Sequence, residues 1–248
     1  METKQPKAKK AKKESKGFRG IESAFLVIVV CFIIAVCIYT FILGDVNNFT
    51  DATKAEPKPG NMLGTIYKGG IIVPVLQTLL LTVLVLSIER AFAIMTAKGK
   101  GSLTKFVANV KAALAANDLA KAQEYCDKQR GSVGSVVTSA LKKYAEMENN
   151  TELTKEQKLA SIQKEVEEAT ALELPTLEMN LAVIATMTTL GTLVGLLGTV
   201  LGMIRSFAAL ATATGAPDSV ALSTGISEAL VNTAFGIATG ACAVISYN

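Results

Sequence analysis

Residues 181–211 read LAVIATMTTLGTLVGLLGTVLGMIRSFAALA, and Arg205 is their single charged residue. A helix needs about 20 mostly apolar residues to cross the hydrocarbon core, so this stretch is long enough to span a membrane. Working outward, three more such runs occur at 222–246, 69–88 and 23–43. Half of the 248 residues are hydrophobic and only 19% are charged, too apolar a balance for an ordinary soluble domain. The composition predicts an all-α, polytopic membrane protein with four transmembrane helices and the lipid bilayer as solvent.

The polar remainder sets the organisation. Residues 1–22 form a basic tail, with eight Lys/Arg against Glu2 and Glu14 in the first twenty. A basic run next to an apolar segment, with no interleaved aromatics beyond Phe18, reads as a topology signal and not as a nucleic-acid patch. The span 23–43 is long for a signal-peptide core and no clear cleavage site follows it, which predicts an uncleaved anchor. Residues 44–68 contain Pro57, Pro59, Gly60 and Gly64 and are expected to be a helix-free periplasmic loop. Residues 89–180 carry thirteen Lys/Arg and read as cytoplasmic helices at 103–116, 118–129 and 133–147. Thr154 with Gln157 reads as a capping box opening a long helix toward the third span, with a kink expected at Pro175. Residues 212–221 form the second periplasmic turn, and 222–248 the last span, beyond which a cytoplasmic tail is expected to lie outside this sequence. Lys and Arg concentrate in 1–22 and 89–180, which places the N terminus in the cytoplasm.

No histidine occurs, which removes imidazole zinc sites, Ser-His-Asp triads and imidazole proton shuttles. Proton chemistry, if any, falls to carboxylates. Cys31, Cys37, Cys126 and Cys242 have no metal-ligand spacing and read as reduced packing thiols. No metal, cofactor or enzymatic activity is expected.

At about 100° per residue, Thr188, Thr192, Gly195, Thr199, Gly202 and Ser206 fall within an arc of about 80° on the third span. Two readings of this small, hydroxylated stripe stay open. Gly191/Gly195 and Gly198/Gly202 are G-x-x-x-G pairs that let helices approach closely, and the hydroxyls can equally line a lumen or wrap a partner helix. From residue 181 onward only Arg205, Asp218 and Glu228 are charged. A carboxylate within a span carries an insertion penalty of about 2.5–3.5 kcal/mol at the bilayer centre, which makes Glu228 a functional candidate. Asn232, Phe235 and Thr239 continue its face. Gly225, Ala229, Thr233, Gly236 and Gly240 form a small-residue ridge for helix packing. Arg205 is expected to snorkel to the external interface, and Glu89-Arg90 to mark the cytoplasmic end of the second span, where charge costs little.

The run Leu196-Leu197-Gly198-Thr199-Val200-Leu201-Gly202-Met203-Ile204-Arg205-Ser206-Phe207 resembles the G-T-V-x-G-(I/M)-x-x-x-F signature of the ExbB/TolQ/MotA proton-channel family. Gly225-Ile226-Ser227-Glu228-Ala229-Leu230-Val231-Asn232-Thr233-Ala234-Phe235-Gly236 is similar to its G-I-x-E-A-L-x-x-T-x-x-G. The resemblance covers residues 69–248 and is closest to ExbB. It implies a homo-pentameric ring in the bacterial inner membrane, whose pore encloses an ExbD/TolR-like single-span partner bearing a membrane aspartate. Protons are then the coupling ion, and a TonB-like protein receives the work. Carried over, Thr199 and Thr233 match the polar residues flanking that aspartate, and Glu228 matches the family carboxylate. Asn232, Thr192 and Ser206 join them as candidate proton-pathway or pore-lining positions. The departure is the additional span at 23–43, since the ExbB type starts outside with three. MotA-type stators have four, but also pore-helix prolines that this chain lacks.

The function expected from this resemblance is energising TonB-dependent outer-membrane transport. The alternatives are a TolQ-like envelope or cell-division motor, a flagellar or gliding stator, and a structural membrane scaffold. A secondary transporter fits less well, because the chain shows neither pseudo-repeats nor broken midplane helices.

Overall fold

The computed structural model describes residues 24–54, 56–212 and 219–248. The basic tail, and Pro217 and Asp218 of the 212–221 turn, lie outside the described residues. Nine α-helices and no β-strand occur among the described residues: α1 Ala24–Cys37, α2 Met62–Tyr67, α3 Ile72–Lys98, α4 Leu103–Ala115, α5 Leu119–Gln129, α6 Gly131–Glu148, α7 Lys155–Glu178, α8 Leu181–Thr212 and α9 Ser219–Tyr247. Four helical runs are long and apolar enough to cross a membrane, within Ala24–Leu43, Ile72–Ala115, Lys155–Ala208 and Leu222–Tyr247. The chain is thus a helical membrane protein, as its apolar runs require.

The chain divides into two compact units. One comprises 93–176 of the described residues, and the other their remainder from 24–92 and 177–248.

The second unit holds the spans. α1 is apolar on all sides and passes into a π-helical stretch, Ile38–Leu43. Val27 and Cys31 of α1, Val83 and Leu86 of α3, Ile184 and Met187 of α8 and Ala243 of α9 share one buried cluster, so all four spans touch a common core. Outside it large apolar side chains such as Phe25, Ile33, Leu193, Leu196 and Leu230 are exposed. That is the arrangement expected where the surrounding solvent is hydrocarbon or another subunit.

Residues 44–68 differ from the helix-free loop expected of them. They contain a 3-10 turn, Val46–Asn48, and the short helix α2, whose N-cap Asn61 accepts from the backbone N–H groups of Leu63 and Gly64. Gly64 lies inside α2. A Cβ there would meet the Asn48 carbonyl at 2.6 Å, so this glycine serves close approach and does not break the helix. Asn48 donates from Nδ2 to Ile42 O at 2.7 Å and accepts from Asn61 Nδ2 at 3.1 Å, tying the ends of the segment together.

The helix bounds also depart from the apolar runs. α3 starts only at Ile72, because Gly69-Gly70-Ile71 forms a turn in which Gly70 has φ +73. Glu89 and Arg90 then lie well before its end. Pro175 is accommodated within α7. The break falls at Met179-Asn180, where Asn180 adopts φ 64 and α8 begins anew. Asparagine tolerates this left-handed conformation better than most residues.

In the first unit α4, α5 and α6 pack Phe106, Val110, Ala113, Ala122, Cys126 and Leu141 into one core. Asp118 caps α5 by accepting from Lys121 N at 2.9 Å. The capping box opening α7 is formed: Gln157 N donates to Thr154 Oγ1 at 3.3 Å, and Thr154 N donates to Gln157 Oε1 at 2.9 Å.

Candidate functional site

Small residues let α8 and α9 pack as an antiparallel hairpin along most of their length. Three levels mark the register, with Gly191 against Gly236 and Thr239, Gly198 against Asn232, and Gly202 against Gly225 and Ala229. A Cβ on Gly195 would meet Gly236 Cα at 2.9 Å, and one on Gly236 would meet Gly191 O at 2.6 Å. At that spacing the opposing atoms are backbone and cannot rotate away. Gly225 faces Ser206 Oγ, and a Cβ on Gly240 would lie 3.2 Å from Thr188 O. All six glycines singled out for helix packing, Gly195, Gly198, Gly202, Gly225, Gly236 and Gly240, therefore sit at this seam.

The same register brings together the two charges of the hairpin. The Arg205 guanidinium pairs with the Glu228 carboxylate, which is buried, whereas about half of the Arg205 side chain stays exposed. Arg205 was expected to snorkel to the external interface, and its pairing with Glu228 was not foreseen. The register of the antiparallel helices sets a carboxylate beside its cation, which offsets part of the cost of placing both charges in a span.

One turn beyond Glu228, Asn232 is fully buried and donates from Nδ2 to the Gly69 carbonyl at 2.9 Å. Its Oδ1 has no partner among the described residues. The Gly69-Gly70 turn lies directly over Asn232 and the ion pair, because a Cβ on Gly69 would meet Asn232 Oδ1 at 3.0 Å and one on Gly70 would meet Glu228 Oε1 at 2.5 Å and Arg205 Nη1 at 3.0 Å. Neighbouring Tyr67 stacks on Tyr39 with centroids 4.7 Å apart, and Phe49 meets its edge at 5.4 Å. These contacts bind the additional N-terminal span to the turn that covers the ion pair. The glycine pair was legible only as a helix start, since nothing in its spacing names Asn232 or Glu228 as partners.

The hydroxyls divide between seam and rim. Ser206 is buried and donates to Gly202 O at 3.1 Å and to Leu222 O at 3.4 Å, so Ser206 and Asn232 are enclosed between helices of one chain. Thr192 is exposed and donates to Thr189 O at 2.9 Å. Thr199 and Thr233 are half-buried, and each donates back to its own helix, to Leu196 O at 2.6 Å and Ala229 O at 3.3 Å. Thr199 also borders an apolar groove of about 480 Å³ along α8 with Val200, Met203, Ile204 and Phe207.

A second ion pair lies in α3. Glu89 and Arg90 are 6% and 2% exposed and paired with each other, and Arg90 Nη1 also reaches the Leu177 carbonyl at 3.5 Å. These charges were expected at an accessible helix end. They are buried because the helix continues past them and the α7–α8 junction closes over Arg90.

Residues 132–248, a little under half of the chain, match the model of the MotA/TolQ/ExbB proton channel family. A protein of Synechocystis sp. bearing the name ExbB-like 3 is 38% identical over 84 residues. That stretch is 34% of this chain and 40% of the relative, so the chain spans about two fifths of the relative it matches.

Proposed function

We propose that this chain is the ring subunit of an inner-membrane motor driven by the proton-motive force, working with an ExbD/TolR-like single-span protein to energise TonB-dependent outer-membrane transport. The observation that carries the reading is the hairpin within the family segment, in which a glycine seam leaves Thr199 and Thr233 half-buried at its rim. A closed homo-pentamer, N termini in the cytoplasm, turns those rims and the exposed apolar faces toward neighbouring subunits and a central partner. The threonines then surround a partner aspartate that alternates between protonated and ionised forms. Hydroxyls ease the ionised form without fixing it as a lysine would. Each proton crossing supplies about 2.3 kcal/mol per 100 mV, enough for a conformational step of a few kcal/mol. The Arg205–Glu228 pair serves the ring as an internal tie. No cofactor beyond the proton and no enzymatic step enters.

The test is twofold. Native mass spectrometry of the gently extracted protein is expected to show a pentamer carrying the small partner, and deletion of the gene to abolish growth that depends on energised outer-membrane uptake. A stable monomer overturns the ring. An envelope or division defect with normal uptake assigns the chain to the TolQ-like role instead.

A further inference from the structure

Beside the Gly69-Gly70 turn, Pro57, Thr65, Lys68, Ser223, Thr224 and Ser227 enclose a recess of about 160 Å³. Its lining holds one cation and no carboxylate. Lys68 is half-buried and forms no ion pair or side-chain hydrogen bond with a described residue. Glu228 feels the charges of both Arg205 and Lys68 but makes its ion pair with Arg205, so among the described residues this corner carries one cation in excess, at Lys68.

The hydroxyls are equally unspent. On α8 and α9, Thr192, Thr199, Ser206, Thr233, Thr239 and Ser246 all donate back to carbonyls of their own helix. Among the described residues Ser223, Thr224 and Ser227 make no such bond, nor do Thr188 and Thr189, but of these five it is the first three that line the recess. Thr65 already donates to Asn61 O at 3.1 Å, which leaves three free O–H donors and one ammonium around a single small volume. A site rich in donors, holding a point charge and no acid, is complementary to an oxyanion. The residues lie just before α3 and within the first two turns of the Leu222–Tyr247 span, at the level where a bilayer presents its phosphates.

We infer that this recess binds a phosphate group, with Lys68 as counter-charge and Ser223, Thr224 and Ser227 as hydrogen-bond donors. A membrane phospholipid headgroup and free phosphate share that chemistry. The inference stands apart from the motor reading, since it concerns no proton step.

The purified full chain in detergent is titrated separately with phosphatidylglycerol, with inorganic phosphate and with monoolein, an uncharged lipid without phosphorus. Retention is read by native mass spectrometry and protection by the thermal unfolding midpoint. Wild type is expected to retain the phosphate-bearing probe and not monoolein, and Lys68→Gln to weaken binding at least tenfold. Lys58→Gln, at an exposed lysine outside the recess, is expected to leave it unchanged. Dependence on Lys68 for phosphatidylglycerol alone assigns the lipid headgroup, and for inorganic phosphate the free anion. Either supports the site. The double variant Ser223→Ala/Ser227→Ala keeps the charge and is expected to weaken binding severalfold, preserving the test if Lys68→Gln fails to fold. Equal binding by wild type, Lys68→Gln and the serine variant overturns the inference, as does equal loss in Lys58→Gln.

Discussion

Placing a single methyl group at Gly236 tests the hairpin most directly. Its carbon would sit 2.6 Å from Gly191 O and 2.8 Å from Gly195 Cα, about 0.8 Å inside ordinary contact at 3.4 Å. Both obstacles are backbone, so relief requires the two helices to separate over several turns. Overpacking of this kind costs about 1–3 kcal/mol. Gly240→Ala adds the same methyl to the same helix, but meets Thr188 O and Thr192 Cγ2 at 3.2 Å, a shortfall a threonine rotation and a slight shift can absorb. There the alanine gains helix propensity, largely by lowering unfolded-chain entropy, worth up to about 1 kcal/mol. Gly240→Ala is therefore expected to be neutral within about 1 kcal/mol, and Gly236→Ala to lose about 1–3 kcal/mol. Reversible unfolding by SDS in mixed micelles, followed by circular dichroism at fixed protein concentration, measures both. Equal effects, or a neutral Gly236→Ala, would refute the close backbone approach.

Arg205→Met is expected to destabilise by about 1–3 kcal/mol, below the usual 3–5 for a fully buried pair because Arg205 is half exposed, and Glu228→Gln on top should recover much of the loss. Additive losses in the same unfolding assay would argue against the pair. Thr199→Val and Thr233→Val keep shape without the hydroxyl and are expected to preserve membrane levels while cutting proton-driven uptake severalfold, and wild-type growth from both variants would defeat the polar-rim mechanism. Cys126 is buried and burial pushes its thiol up from the ordinary range, so maleimide is expected to spare it on both sides of the membrane, with less acceleration between pH 7 and 9 than a free thiol shows. Orientation is better read from Thr53→Cys, expected to label from outside intact cells, and Lys111→Cys, expected to label only after permeabilisation; the opposite pattern would invert the topology.

The spans were legible because hydrocarbon imposes a length and a polarity on any helix that crosses it, and helices α4 to α6 because their apolar period survives in a polar sequence. The Thr154/Gln157 cap was legible because its contacts lie three residues apart. What escaped depended on distant partners. Gly69 reaches Asn232 across 163 positions, and Arg90 reaches Leu177 across 87, and no local pattern encodes either. Arg205 and Glu228 were each noticed as isolated charges. Their union follows only from the register of α8 on α9, which the glycines permit but do not announce. Gly64 was misjudged for a related reason, since the same residue that breaks a solitary helix allows a packed one to lie against another backbone.

The seam also has a mechanical consequence. Two helices in contact through backbone atoms cannot slide or rotate past each other without collision, so α8 and α9 behave as a single stave. In an assembly of such staves, deformation is confined to the joints between copies and to whatever the staves surround. Under the proposed ring reading, load applied at Thr199 would reach Thr233 and the Arg205–Glu228 corner together, with the hairpin as the unit that moves.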